Sequence, residues 1–265
     1  MKETVYFAFG NPIVKFMVAT VYQHIVEEAL GAIGDAEITD CAIGEKTVAV
    51  ESSLGTGIAM RYADRCESRS HLAGIERSVC KMHLHELVSA YLETDKLYQA
   101  ISLAAINSIL NVNGTVPAPD YQDFVADMPK GACLGLVGYF APVVRMARLC
   151  GVSLRIFELK GIPQTLRPAA AAEQMPLCDG VILTGSAFSN KSIHHYLPHI
   201  PKHVPACILG PSTPLAGTLG RFSLGSSRVC HKACVFDAVR RHASCGHLRR
   251  WLEKIGRPPV TDGDA

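Results

Sequence analysis

Apolar positions in the first 110 residues follow a helical spacing, then a strand-like one, then a helical one again. The first helical pattern predicts a helix that begins near Asn11 and Pro12 and ends before Gly31. Three strand-like runs follow, at residues 36–43, 47–51 and 57–62. A looser polar stretch covers residues 63–78, and helices are predicted over residues 82–92 and 96–110. This order predicts an α+β domain.

The pattern changes after residues 114–120, which contain Gly, Pro and Asp and mark the predicted boundary between two domains. Short apolar runs now alternate with helical segments. The runs predicted as strands cover residues 133–139, 153–158, 180–184 and 206–209, and the predicted helices cover residues 143–149, 169–175 and 192–197. Strands this apolar are typical of a parallel sheet that is covered on both faces.

We therefore predict an α/β protein with two domains. A smaller α+β domain occupies residues 1–116, and a Rossmann-like domain with a parallel sheet occupies residues 117–265. The hydrophobic fraction of 48% and a formal net charge of +2 exclude a disordered chain. A mean hydropathy of +0.18 favours some apolar surface buried between the subunits of a homo-oligomer.

The location of the protein is predicted from its ends and its thiols. The first ten residues lack the apolar segment of a secretion signal, and no run of about 18 apolar residues predicts a membrane span. We expect a cytoplasmic protein whose ten cysteines are mostly reduced. Basic residues are enriched after residue 200 without zinc-finger spacing or interleaved aromatic residues, so we predict neither a nucleic-acid nor a membrane partner.

Polar turns follow the predicted strands at the edge where open α/β sheets bind their ligands. The turn after the third strand contains Thr184, Gly185, Ser186 and Asn190, and the turn after the fourth contains Gly210, Pro211 and Ser212. Such residues present hydroxyls, amides and backbone N–H groups to an anion, although capping and turn formation use the same residue types. Two such turns at adjacent strands predict a ligand cleft.

The first two strands of this half suggest a different ligand. Gly138 and Tyr139 follow the first strand, and Glu158 ends the second, about 20 residues later, as expected for the acid that binds a ribose in dinucleotide-binding folds. This spacing supports an alternative function, a Rossmann-type enzyme that uses a nucleotide or S-adenosylmethionine. The G-x-G-x-x-G motif is missing, however, and a solvated acid at a strand end explains Glu158 equally well.

Cysteine and histidine residues are candidate metal ligands, and their spacing decides which of them could share a metal. On a strand predicted near residues 229–236, Cys230 and Cys234 would lie about 13 Å apart, at ~3.3 Å per residue, which is too far to share a metal. Small buried thiols beside exposed histidines are the simpler interpretation. His194 lies close enough in sequence to Asn190 to serve as a base or ligand. Four further cysteines are predicted in or beside core elements, where a thiol is a small apolar side chain: Cys133, Cys150, Cys178 and Cys207.

Several of these segments together resemble a known family. The segment from Asp179 through Asn190, the Gly210-Pro211-Ser212 turn, Gly138-Tyr139-Phe140 and Glu158 resemble a bacterial and archaeal family of unknown function labelled "putative heavy-metal chelation". The helix of small residues that ends at Asn107 extends this resemblance to the first half. One departure is Lys191-Ser192, where the family usually has a pair of small hydroxyl residues.

The resemblance implies an enolase N-terminal-like domain followed by a Rossmann-like domain, with a ligand site in the cleft between them. The cleft would be lined by residues from both halves of the chain: Asn107, Glu158, Thr184, Ser186, Asn190 and Ser212. Its ligand would be a small anionic or metal-chelating molecule, and a transition-metal ion would be the cofactor. Neither the sequence nor the resemblance decides whether the ligand is turned over.

Overall fold

A computed structural model describes residues 12–62, 67–93, 95–115 and 117–260, with the backbone alone over residues 12–20. It contains a three-stranded antiparallel sheet and a six-stranded, mostly parallel sheet. The predicted α/β class is therefore confirmed. The predicted helix start at Asn11 lies outside the described residues.

The first half of the chain forms the antiparallel sheet and the helices around it. Its elements are α1 (Pro12–Ala32), β1 (Ile38–Ile43), β2 (Thr47–Ser52), β3 (Thr56–Met60), α2 (Arg69–Val79), α3 (Leu84–Ser89) and α4 (Lys96–Leu110). The three predicted strands and the helix over residues 96–110 are confirmed. α4 packs so closely on β3 that a side chain on Gly57 would collide with the Ala104 carbonyl oxygen, which explains the small residues of this helix.

Helix α2 corrects the prediction of a looser polar segment at residues 63–78. The Ser68 hydroxyl caps its first turn by accepting a hydrogen bond from the His71 backbone N–H. The helix buries only a narrow stripe, Leu72, Glu76 and Val79. Because Glu76 belongs to that stripe, accepting the Ile43 backbone N–H at 2.7 Å and pairing with Arg69, the apolar periodicity is interrupted.

The second half forms the six-stranded sheet. Its strands are β4 (Cys133–Val137), β5 (Ser153–Phe157), β6 (Gly180–Thr184), β7 (Ala206–Leu209), β8 (Ser223–Val229) and β9 (Leu252–Arg257). The helices of this half are α5 (Tyr121–Ala126), α6 (Ala141–Cys150), α7 (Ala171–Gln174), α8 (Ser186–Ser189), α9 (Lys232–Arg240) and α10 (Cys245–Leu248). The four predicted strands are confirmed, whereas β8, β9 and α5 were not predicted.

The order of the strands places a crevice beside β4. The sheet runs β5-β4-β6-β7-β8-β9, with β4 to β8 parallel and β9 antiparallel to β8. The parallel strands thus follow the doubly wound order 2-1-3-4-5, in which the chain reverses direction across the sheet at its first strand. Ligands bind in such folds outside the carboxyl ends of the strands.

Two predicted elements are wrong. Residues 229–236 do not continue as a strand, because Val235, Phe236 and Val239 form a buried helical stripe on α9 that packs against the first sheet. The predicted helix at 192–197 is replaced by two short 3-10 turns, Ile193–His195 and Leu197–His199. Pro198 lies in the second of these turns and interrupts regular helical hydrogen bonding.

The two halves of the chain pack against each other through several segments. α9 contacts β1 and β2, and the backbones of Thr115 and Gly256 exchange hydrogen bonds of 2.9 and 2.8 Å. The domain boundary between residues 116 and 117 remains a prediction. Among the described helices, none is both long and apolar enough to cross a bilayer.

Candidate ligand cavity

A cavity of about 670 Å³ opens at the carboxyl ends of β6 and β7 and beside the middle of β8. Its wall includes the two polar turns predicted from the sequence, represented by Thr184 and Ser186 after β6 and by Gly210, Pro211 and Ser212 after β7. Other parts of the wall come from Met60 on β3, from residues 118–122, 225–227 and 244–246, and from Arg249. Segments far apart in sequence therefore meet around one space.

The turns after β6 and β7 are held together by their backbones. The Gly185 N–H donates to the Leu209 carbonyl oxygen at 2.8 Å, and the Gly210 N–H donates to the Gly225 carbonyl oxygen at 2.9 Å. A Cβ on Gly185 would lie 2.8 Å from the Thr213 backbone nitrogen and closer still to the Thr213 hydroxyl. The two turns are thus in close contact as well as bonded through their backbones, which gives the cavity a fixed wall.

Ser212 connects this wall to the first sheet. It is almost fully buried, and its hydroxyl accepts the Met60 backbone N–H at 2.8 Å. The hydroxyl oxygen is thereby fixed, while its proton remains a donor. Ser212, one of the predicted turn residues, thus holds β3 at the cavity.

Asn111, directly after α4, supports the same wall and was not predicted. Its Nδ2 donates to the Thr213 carbonyl oxygen at 3.1 Å and to the Ser226 hydroxyl at 2.9 Å. Its Oδ1 accepts the Leu215 N–H at 2.8 Å. A buried amide with three such bonds fixes the loop after β7 and the middle of β8 relative to α4.

Two cationic side chains reach the cavity, and they differ in their partners. Lys254 forms an ion pair with Asp120. Burial raises the pKa of Asp120, but hydrogen bonds from Lys254 and from the backbone N–H of Gln122 outweigh this effect, so the pKa is lowered. Arg249 is exposed and has no acidic partner among the described residues. The cavity therefore presents one uncompensated guanidinium.

Gly138, Tyr139 and Glu158 lie at the crevice beside β4, outside the residues that line the cavity. The Glu158 carboxylate accepts the backbone N–H of Tyr139 at 3.0 Å and that of Lys160 at 3.1 Å. Gly138 has a φ of +87°, and a Cβ there would lie 2.8 Å from Thr184 Cγ2. The three residues thus tie the turns after β4 and β5 together and pack beside the turn after β6.

Tyr62, just beyond β3, joins this crevice to the cavity and was missed by the sequence analysis. Burial raises the pKa of its phenol, and the Glu158 charge adds to this effect, whereas hydrogen bonds with Ser186 and Asn190 oppose it. Tyr62 thus lies among three of the predicted site residues. The signal available in the sequence was a tyrosine at the end of a predicted strand, which alone indicates no ligand.

Asn107 lies on α4, within the packing of this helix against β3. It is buried, its Nδ2 donates to the Ile58 carbonyl oxygen at 2.9 Å, and its buried Oδ1 has no hydrogen-bond partner. It does not line the cavity. Asn190 does not line it either. Its Oδ1 accepts the Ser192 backbone N–H at 3.0 Å, and this bond shapes the chain after α8.

The predicted metal candidates do not converge. Cys230 and Cys234 are exposed, which corrects the expectation of buried thiols. The Nδ1 of His194 lies 3.0 Å from the Tyr22 hydroxyl on α1. Burial, and next the charge of His195, lower the pKa of His194 to about 4. Within the described ranges, no three His, Cys, Asp or Glu side chains form a group that could hold a metal ion.

The donors of the cavity do not fit a bare heavy-metal ion. Heavy-metal ions prefer thiolate and imidazole ligands. The polar groups that line the cavity are mainly serine and threonine hydroxyls, the Arg249 guanidinium and the Asp120 carboxylate, which is already paired with Lys254. One thiol, Cys245, also lines the cavity, but it lies 3.5 Å from the Thr47 hydroxyl and burial raises its pKa, so it is a poor source of thiolate. These groups are instead hydrogen-bond donors and a positive charge, which suit an anionic small molecule.

Comparisons with known proteins place the chain in a family. Residues 120–255 match the DUF364 family and residues 26–110 match the DUF4213 family, both described as "Putative heavy-metal chelation". Among curated proteins, none matches this chain.

Two solved structures share the fold. A protein of unknown function from the DUF364 family of Desulfitobacterium hafniense is 18% identical, with a TM-score of 0.75 over 91% of this chain and 98% of that one. Another, from Pyrococcus horikoshii, is 19% identical, with a TM-score of 0.71 over 89% of this chain and 98% of that one. The DUF364 family match, at residues 120–255, covers more than half of the 265 residues, and this chain therefore belongs to the DUF364 family.

Proposed function

We propose that the protein binds a small anionic molecule of the metal-chelating class in the cavity at the carboxyl ends of β6 and β7. The observation that carries this proposal is that the unpaired guanidinium of Arg249 lines the same cavity as the hydroxyls of Thr184, Ser186 and Ser212. A guanidinium and several hydroxyl donors suit carboxylate groups, which accept bidentate hydrogen bonds.

The same arrangement favours a ligand that brings its own metal ligands. A polycarboxylate surrounds a metal ion with its own oxygen atoms and presents its outer oxygens to the protein. The metal is then carried as part of the ligand, so hydroxyls and a guanidinium are sufficient to hold it. This reconciles the family description with a cavity whose described residues form no cluster of metal ligands.

The alternative of a nucleotide-dependent enzyme has weaker support. In that fold the backbone N–H groups after the first strand bind the pyrophosphate. Here the Tyr139 N–H is already occupied by the Glu158 carboxylate. The same bond engages the acid that would bind the ribose, so the ligand would have to displace it from the backbone.

Isothermal titration with citrate, Ni²⁺ and the Ni²⁺–citrate complex tests the proposal. Citrate and its complex should bind with one ligand per chain, and Arg249→Gln should weaken both by about tenfold or more, as expected when a hydrogen bond to a charged group is lost. Arg250→Gln is the matched control, because Arg250 stacks on Trp251, 4.3 Å from the ring centroid, and does not line the cavity.

Three outcomes would overturn the proposal. The first is no binding of citrate or its complex to the unaltered protein, and the second is an equal loss of affinity in both arginine variants. The third is binding of Ni²⁺ alone that Arg249→Gln weakens as much as it weakens binding of the complex.

A further inference from the structure

Two thiols and a guanidinium meet at the amino-terminal edge of the six-stranded sheet, away from the cavity. Cys133 is the first residue of β4, and Cys178 lies two residues before β6, the neighbouring strand. Arg155 on β5, the strand on the other side of β4, donates a hydrogen bond from Nη1 to the Cys133 sulfur. Three adjacent strands thus contribute to one cluster.

Gly135 provides the space in which the cluster forms. It lies opposite Arg155 on β5 and Val181 on β6. A Cβ on Gly135 would lie 3.0 Å from the Cys178 sulfur. Cys133 is two residues earlier on the same strand and points to the same face. The missing side chain therefore lets the Cys178 sulfur lie over β4, on the face to which Cys133 points and next to the strand that carries Arg155.

Each cysteine has one further hydrogen bond to a neighbouring residue. The Cys133 N–H donates to Asp179 Oδ2 at 2.8 Å, and the Cys178 thiol donates to the Gln174 carbonyl oxygen at 3.4 Å. Cys178 is buried and Cys133 is half-buried. Cys178 is thus directed inward by a backbone carbonyl oxygen, and the half-buried Cys133 provides access from the surface.

We propose that Cys133 and Cys178 bind a thiophilic monovalent d¹⁰ cation of the Cu(I) class in two-coordinate geometry, with Arg155 as the countercharge. This site is separate from the cavity and does not depend on the function proposed there. The family description does not assign a metal site to these residues.

The donor set and the charge balance both favour this class of cation. Thiolates are soft ligands that select Cu(I). Tetrahedral zinc sites use four ligands, whereas the described residues supply no group of three. Binding replaces two thiol protons, which leave to solvent, and the metal keeps its oxidation state. The resulting dithiolate complex carries one negative charge, which the Arg155 guanidinium offsets.

Anaerobic competition with bicinchoninate, a coloured Cu(I) chelator, tests the site. The reduced full-length protein should retain one Cu(I) at a chelator concentration that removes copper from isolated surface thiols. Cys133→Ser and Cys178→Ser should each lose it, whereas Cys234→Ser should keep it, because Cys234 is an exposed cysteine on α9 outside the cluster. X-ray absorption at the copper edge should show two sulfur neighbours.

Arg155→Met tests the site without removing a thiol, and it decides the matter if Cys178→Ser fails to fold. It should weaken Cu(I) binding by about tenfold, the effect of losing a hydrogen bond to a charged group. Undiminished copper retention in Cys133→Ser would overturn the proposal. It would also be overturned if the reduced protein retained no copper, including the case in which the two cysteines only form a disulfide in air. Citrate binding in the cavity is measured separately, so each proposal can fail alone.

Discussion

The two edges of the six-stranded sheet carry different chemistry. At the carboxyl edge, hydroxyls and one free guanidinium surround a cavity, and the turns that hold them are bonded backbone to backbone. At the amino edge, two thiols lie near Gly135 together with the Arg155 guanidinium, which donates a hydrogen bond to the Cys133 sulfur. This cluster is held mainly by side-chain contacts. One sheet thus offers donors for an anionic ligand at one end and ligands for a soft cation at the other.

The difference between the edges is also one of rigidity. Gly185 at the carboxyl edge faces the backbone of Thr213, which cannot move without breaking the turn. Gly135 at the amino edge faces the sulfur of a side chain, which can rotate. Replacing each glycine by alanine should therefore lower the free energy of unfolding by different amounts.

Gly185→Ala should have the largest effect on stability. Its Cβ would lie 2.8 Å from the Thr213 nitrogen, and we expect a loss of about 3 kcal/mol in the free energy of unfolding, the upper range for overpacking. Urea denaturation measures it. Gly161→Ala is the control, since only the end of the Arg167 side chain comes within 4 Å of the added carbon. Equal stabilities of the two variants would refute the rigid carboxyl edge.

Asn111→Ala should have the next largest effect. It leaves the Leu215 N–H and the Thr213 carbonyl without their side-chain partner, and we expect a loss of about 2 kcal/mol. Asn113→Ala, two residues later and exposed, should change the free energy of unfolding by less than about 0.5 kcal/mol. If Asn111→Ala were equally harmless, Asn111 would not support the cavity wall.

Gly135→Ala should cost least, about 1 kcal/mol, because the Cys178 side chain can yield to the added methyl group. Its second effect is chemical, since the methyl group displaces the sulfur from Cys133 and should lower Cu(I) retention. Urea denaturation and chelator competition measure the two effects. A variant that lost stability as severely as Gly185→Ala would remove the contrast between the edges.

The sequence predicted the parts of this fold that depend on local pattern. Residues 180–184 and 206–209 are continuous apolar runs, and both are strands with those same bounds. The polar turns after them were found because residue type and strand end coincide. Their contribution to the cavity wall was predictable from the general location of ligands in open α/β sheets.

Other parts were hidden because their residues serve tertiary contacts. β8 contains Gly225, Ser226 and Ser227, and these polar or small residues face the cavity instead of forming an apolar run. Arg249 and Tyr62 reach the site from distant segments, and no local spacing connects them. Cys133 and Cys178 were predicted as small core residues, and their convergence over Gly135 depends on strand register, which the sequence analysis did not determine.

A crystal structure of the protein with bound citrate tests the central claim most directly. Our account predicts one citrate in the cavity, with a carboxylate on the Arg249 guanidinium and an oxygen accepting from the Ser212 hydroxyl. Citrate bound elsewhere while the cavity contains only solvent, in crystals grown at saturating citrate, would contradict it.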